Sequence, residues 1–439
     1  MKKLLTILFA GLLFLQGQAQ EKWSLQKCID YALANNIVVK QCKITTDYQQ
    51  NELNQAKNNR LPNLNANVSQ DYNFGRSQQL DGTYIARNVA SSSFSIGTSA
   101  VIFSGNKLNN NIEDQNYSLK KSFEDLQKAK DDLTLNIASE YLEILFAKEL
   151  IKVAEAQVDQ SAKQIERTKD LVTAGKLAEG SLLELEAQKA NEELDLVNRQ
   201  NSLQISLLNL AQLLELESHA NFDVEIPELP EIKAETSVIA SSGIYEKAVV
   251  SRPEIKSAEF QLKSAETQLK IAKSALYPTL SASAGFGDSY YNLINVVEDK
   301  FGTQLKNNHG ESLGLALSIP IFNQFQNKTN IENSNLQILS KKLELESAKK
   351  NLLKEIEQAY TNAVAALKKY NANQVAVQSM QESFRYVDEK YNVGRVNSVE
   401  YNDAKSKLAI AESDLIQAKY DFIFRSKILD FYNGIPIQL

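Results

Sequence analysis

LVTAGKLAEGSLLE, residues 171–184, and KYNVGRVNSVEYND, residues 390–403, are one stretch of chain written twice. Superposing them sets Gly175 over Gly394. Without any further shift Phe103 falls over Phe322, Ile112 over Ile331, Ile137 over Ile356 and Tyr141 over Tyr360. Further upstream the match continues after a small change of offset. ELNQAKNNRLPNLNANV (52–68) lies over TQLKIAKSALYPTLSASA (267–284), with Pro62 over Pro278, Ala32 over Ala248 and Lys40 over Lys256. Repetition on this scale means that one structural unit is used twice.

Each copy follows the same plan. Residues 22–61 contain no Gly or Pro, carry helical periodicity, and stop before Pro62, because proline pushes the preceding residue out of the α region. No Gly or Pro occurs between Gly105 and Gly175, and none between Pro320 and Gly394. At ~1.5 Å per residue, such runs make helices about 100 Å long. Second arms follow at 181–216 and 398–432. Tips near 171–180 and 390–397 each carry a glycine, which takes the left-handed conformation that ends a helix. The pattern predicts two long helical hairpins.

Between the short and long helices of each copy stand two stretches of period-two alternation, at about 63–75 and 90–103, then 279–291 and 311–322. Leu64, Ala66, Val68, Tyr72 and Phe74 share one face of the first, and Phe94, Ile96, Thr98, Ala100 and Ile102 one face of the second. Leu280, Ala282, Ala284 and Phe286 do so in the third, and Leu313, Leu315, Leu317, Ile319 and Ile321 in the fourth. The opposite faces are Asn- and Ser-rich or small. Segments of about ten residues with this alternation suit a transmembrane β-barrel. A soluble sheet would need an amphipathic element of matching size over the apolar face, and none is adjacent. Four strands cannot close alone, since the smallest such barrels have about eight, and an open edge in lipid leaves backbone groups unpaired. A dimer would supply eight strands and a trimer twelve.

Composition agrees with long helices: 16 Gly and 7 Pro in 439 residues, 43% apolar and 23% charged. With a net charge of −6 and acids and bases interspersed, nothing in the sequence suggests a nucleic-acid surface. Residues 1–19 read as a secretory signal peptide, with Lys2 and Lys3, an apolar run from Leu4 to Leu15, and Gly17-Gln18-Ala19 at the cleavage site. Removing Lys2 and Lys3 takes the charge from −6 to −8. An exported compartment permits either a disulfide between Cys28 and Cys42 or two buried thiols. His219 and His309 stand far apart with no ligand spacing around them, and GKLAEGS (175–181) lacks the order of a phosphate loop. No catalytic residue, metal or cofactor is expected.

The whole mature chain resembles the TolC-like outer-membrane efflux protein family. The resemblance is carried by the opening WSLQKCIDYALANN (23–36), the helix–proline–strand junctions AKNNRLPNL and AKSALYPTL, both Gly-marked breaks, and the repeated order of elements. It implies a mostly α fold with a membrane β-barrel: a homotrimer whose four strands per chain make a twelve-stranded barrel, continued by a periplasmic α-barrel. The first repeat would span 20–216 and the second 241–432, with 217–240 as an equatorial linker and 433–439 as a tail. It further implies contact with outer-membrane lipid, a periplasmic adaptor (membrane fusion) protein and an inner-membrane transporter.

On this resemblance Glu400 and Asp403 form the pore constriction at the tunnel end. Tyr391, Arg395, Ser181 and Glu184 are candidates for a tip latch, and Gly175, Gly394 and Val393 for the adaptor contact. The function implied is a passive, gated exit duct for efflux or type I secretion. A periplasmic coiled-coil scaffold would leave the strands unexplained, and an autonomous porin the very long helices.

Overall fold

Long runs free of Gly and Pro become long helices. The computed structural model describes residues 22–438 apart from 79, 87, 219–221, 230–231, 233–237, 239 and 294–298. The signal segment, His219 and part of the 217–240 linker lie outside the described residues. The helices are α1 (Leu25–Asn35), α2 (Ile37–Asn58), α3 (Lys107–Thr173), α4 (Glu179–Leu213), α5 (Ser241–Ser251), α6 (Pro253–Ser274), α7 (Phe301–Asn307), α8 (Gln326–Asn392) and α9 (Ser398–Tyr432). The strands are β1 (Lys22–Trp23), β2 (Asn63–Asn73), β3 (Arg76–Gln78), β4 (Tyr84–Ala86), β5 (Val89–Phe103), β6 (Asp223–Val224), β7 (Thr279–Leu293) and β8 (Gly310–Ser318). The protein is mostly α-helical. Its contacts divide it into two units, the described residues of Met1–Ile44, Asp125–Ile255 and Ala348–Leu439, and Thr45–Glu124 with Lys256–Ser347.

The second unit contains the main sheet, antiparallel throughout in the order β2-β5-β7-β8. Its register puts the predicted faces together. Leu64 pairs with Thr98, Thr98 with Ala284 and Ala284 with Leu313, and Ala66, Ile96 and Phe286 make the next row. On the other face Asn65, Gly97, Gly285 and Ser312 form a row of small and polar residues. The apolar face is left open, with Leu64 74% and Leu313 91% exposed. Ahead of the start of β8, α7 seats against β7: Gln304 bonds both backbone groups of Tyr291, and the Phe301 ring meets Tyr290 at 5.1 Å edge-on.

Three strand expectations are corrected. A bulge between Val101 and Phe103 brings Phe103, not Ile102, opposite Leu280, because one extra residue inverts the alternation. β8 stops at Ser318, before Pro320, which has no N–H to pair, so Ile319 and Ile321 lie outside the sheet. β2 ends at Asn73, and Phe74 precedes a turn at Gly75.

The first unit packs an apolar core from α1, α3, α4 and α9, including Ile137, Tyr141, Leu145, Leu210, Leu214 and Ile423. The Tyr141 hydroxyl lies 2.7 Å from the Glu225 carbonyl and 3.1 Å from that of Trp23, tying β1 and the segment after β6 to α3. Ile437 of the tail is buried in the same core. The 22–61 run forms two helices, with Cys28 on α1 and Cys42 on α2. It breaks at Asn36, whose Oδ1 accepts from Val38 N (2.9 Å) and whose Nδ2 donates to the Leu213 carbonyl (3.0 Å). The break recurs in the second copy at Arg252, where Pro253 opens the next helix. Cys28 and Cys42 are not joined in a disulfide. Burial pushes the Cys28 thiol up to about 12.

Candidate functional site

Both tips are built alike. α3 ends at Thr173 and α8 at Asn392, and each chain reversal passes through a glycine in the left-handed region, Gly175 at φ 68° and Gly394 at φ 71°. The N–H of Lys176 returns to the Leu171 carbonyl and that of Arg395 to Lys390, both at 2.9 Å, closing the last helical turn in each hairpin. The second arms start differently. Asn397 caps α9 by accepting from Glu400 N at 2.9 Å, whereas Ala178 at the start of α4 offers no side chain.

The first turns of α9 have two opposed faces. Ser398, Tyr401 and Lys405, at spacings of three and four, are buried. Glu400, Asp403 and Lys407, at the same spacings, are exposed. Glu400 and Asp403 therefore project from one stripe. Asp403 pairs with Lys407 at 2.6 Å, an exposed i,i+4 contact of little energetic weight.

The interior face is polar. Lys405 Nζ lies 2.9 and 3.1 Å from the two Glu192 carboxylate oxygens on α4, 2.6 Å from Ser161 Oγ and 3.0 Å from the Gln157 carbonyl on α3. Burial lowers the Lys405 pKa, opposed by Glu192. Tyr401 meets Tyr391 at 4.7 Å and Phe384 at 5.5 Å between ring centroids. Burial, with Asp388 nearby, pushes its phenol up to about 12. Gln164 Nε2, Thr168 Oγ1 and Tyr391 OH are buried here without a hydrogen-bond partner among the described residues.

The residues singled out from the sequence are thus spread over several environments. Glu184 accepts a short hydrogen bond from Ser398, joining the two hairpins. Tyr391 lies inside, and Ser181 is half-buried at the start of α4, its N–H on the Ala178 carbonyl (3.1 Å). Arg395 is exposed, its guanidinium without an ion pair among the described residues. Gly175, Gly394 and Val393 are exposed at the tips. His309 stacks on Phe286 (6.3 Å), and no group of three potential metal ligands occurs among the described residues. Lys405 and Glu192 escaped sequence reasoning. The one available signal was the helical spacing that puts Lys405 in line with Ser398 and Tyr401.

Two blocks, residues 28–215 and 244–430, match the family model for the outer membrane efflux protein, one for each copy of the repeat. The chain belongs to the outer membrane efflux protein family. It is 24% identical to outer membrane protein TolC of Escherichia coli, over 96% of this chain and 84% of TolC. It is 22% identical to the cation efflux system protein CusC of the same organism, over 89% of this chain and 82% of CusC. The fold matches the crystal structure of the Campylobacter jejuni CmeC outer membrane channel, with a TM-score of 0.79 at 18% identity, covering 94% of this chain and 86% of that one. As a member of this family of channel proteins, the chain is an outer-membrane efflux channel with a long periplasmic extension.

Proposed function

We propose that three copies of this chain close into a twelve-stranded barrel and a helical tunnel that serves as the exit duct of a tripartite efflux or type I secretion system. The observation that carries this reading is the open sheet. β2 and β8 are its edges, each with one side unpaired, and its exposed apolar face runs from Leu64 through Thr98 and Ala284 to Leu313, with Ala66, Ile96 and Phe286 in the next row up to Glu311 at the start of β8. A sheet with two free edges and an exposed apolar face is stable in lipid only when further copies pair the edges.

The duct is passive and is gated at its periplasmic tip. Three copies of the Glu400–Asp403 stripe would give two rings of three carboxylates, which favour cations and repel one another as they approach. The Glu184–Ser398 hydrogen bond and the Tyr391–Tyr401 ring contact hold the tip arrangement, with Ser181 at the start of α4 and Arg395 at the second tip, and exposed Val393 next to Gly394 offers an apolar foothold for a periplasmic adaptor that links the duct to an inner-membrane transporter. Residues 222–229, whose Phe222 and Val224 are buried in the core beside Ile437 of the tail, would belong to a belt around mid-tunnel. The test is the mass of the detergent-extracted complex together with pore formation in planar bilayers. Three chains per particle and discrete conductance steps are expected. Recovery without detergent, or a monomer that makes no pores, would end this reading.

A further inference from the structure

We propose that Lys405 is a clasp joining the two hairpins behind the tip, and that the resting arrangement of the duct depends on it; this rests on the gated-duct reading above. One ammonium on α9 reaches two other helices at once, α3 through Gln157 and Ser161 and α4 through both oxygens of Glu192. Lys405 is 4% exposed, so water does not substitute for these partners. Any movement of α9 away from α3 and α4 loses all of them together, which makes the contact all-or-none.

The surroundings favour separation. Gln164 and Thr168 follow Ser161 along α3 at spacings of three and seven, on one face, toward the Gly175 tip. Gln164 Nε2, Thr168 Oγ1 and the Tyr391 hydroxyl are buried and unpartnered among the described residues, and water would satisfy each of them once the helices part. Other links between the hairpins, Glu184–Ser398, Arg167–Asn392 and the half-exposed Lys419–Glu149 pair, each join one residue to one partner, whereas Lys405 holds three residues on two helices from a buried position.

The test places spin labels at Lys176→Cys and Lys390→Cys, one near each tip and both exposed, in a Cys42→Ser background of the detergent-extracted full-length protein. Pulsed dipolar spectroscopy of the parent should give a narrow distance peak. Lys405→Met leaves Glu192 buried without a counter-charge, a change that moves such equilibria about a hundredfold or more, so the parent peak should be lost to longer distances. The exchange Lys405→Glu/Glu192→Lys should restore it in part, because Ser161 Oγ can donate to the new carboxylate. If Lys405→Met does not assemble, Ser161→Ala, which keeps both charges, should give a smaller shift in the same direction. An unchanged peak in the variant that assembles, or an exchange no closer to the parent than the single variant, would overturn the clasp. Bilayer conductance separates the two readings: a parent without pores refutes the duct, whereas a pore-forming parent whose distances ignore Lys405 refutes the clasp alone.

Discussion

Tyr391 and Tyr401 face each other at the tip with ring centroids 4.7 Å apart, and the Tyr391 hydroxyl is buried with no partner among the described residues. A latch hydroxyl would hold something; this one holds nothing in the described arrangement. Tyr391→Phe removes an unsatisfied buried group and keeps the ring, so it should stabilise the assembly by about 1 kcal/mol. The checks are thermal unfolding of the extracted protein and its conductance. A rise in unfolding temperature with unchanged conductance is expected, and a leakier, less stable variant would show that the hydroxyl has a partner after all.

Asn36 and Arg252 occupy equivalent places in the two copies and break equivalent helices by different chemistry. Asn36→Ala loses the cap of α2 and leaves the Leu213 carbonyl without its donor, together about 2 kcal/mol. Asn36→Asp keeps the cap and loses only the donor, so its unfolding temperature should fall between those of the parent and Asn36→Ala. Equal losses in the two variants would contradict this division of roles.

Gly105 and Gly394 are both left-handed, at φ 60° and 71°. A Cβ at Gly105 would lie 2.8 Å from the Ser274 carbonyl oxygen and from Tyr277 Cβ, whereas at Gly394 it would meet nothing within 4 Å. Gly394→Ala should therefore cost only the backbone strain, about 1 kcal/mol. Gly105→Ala should cost clearly more, because backbone has to move as well. Denaturant midpoints of the two variants decide this, and similar midpoints would be the contrary result.

Cys28 is fully buried, and its thiol is pushed up to about 12 from an ordinary value of 9.0. At pH 8 on the order of one thiol in 10⁴ is then ionised, and the thiolate is the reactive form. Cys28 should resist maleimide until the protein unfolds. Below pH 9 the thiol is neutral in both states and leaves stability unchanged. Above it the unfolded chain loses its proton first, so this group lowers stability as pH rises. Prompt labelling of Cys28 in the folded protein at pH 8 would contradict its burial.

The long helices, both tips and most of the apolar strand rows are legible in the repeated sequence, since each rests on a period or on a glycine. Less legible was whatever tertiary contact decides. Glu215, at φ 57°, stands where the second copy has Gly434, at φ 81°. Its carboxylate accepts from Ile37 N across a separation no local pattern reveals. Gln324 and Phe325 likewise take the left-handed turn that Gly105 and Asn106 make in the first copy. The bulge before Phe103 leaves no mark in the alternation. At the tip the acids were conspicuous because they are outward charges near a glycine. Lys405 looked like one more surface lysine, because its partners Ser161 and Glu192 belong to the other copy of the repeat, far away along the chain.

The most direct test of a gated duct is single-channel conductance of the purified protein against Glu400→Ala/Asp403→Ala. Both side chains are exposed on one stripe of α9, so the double variant should fold as the parent does. The parent should conduct poorly and prefer cations, and the variant should conduct more while losing that preference. Conductance and selectivity that are the same in both proteins would remove Glu400 and Asp403 from the gate.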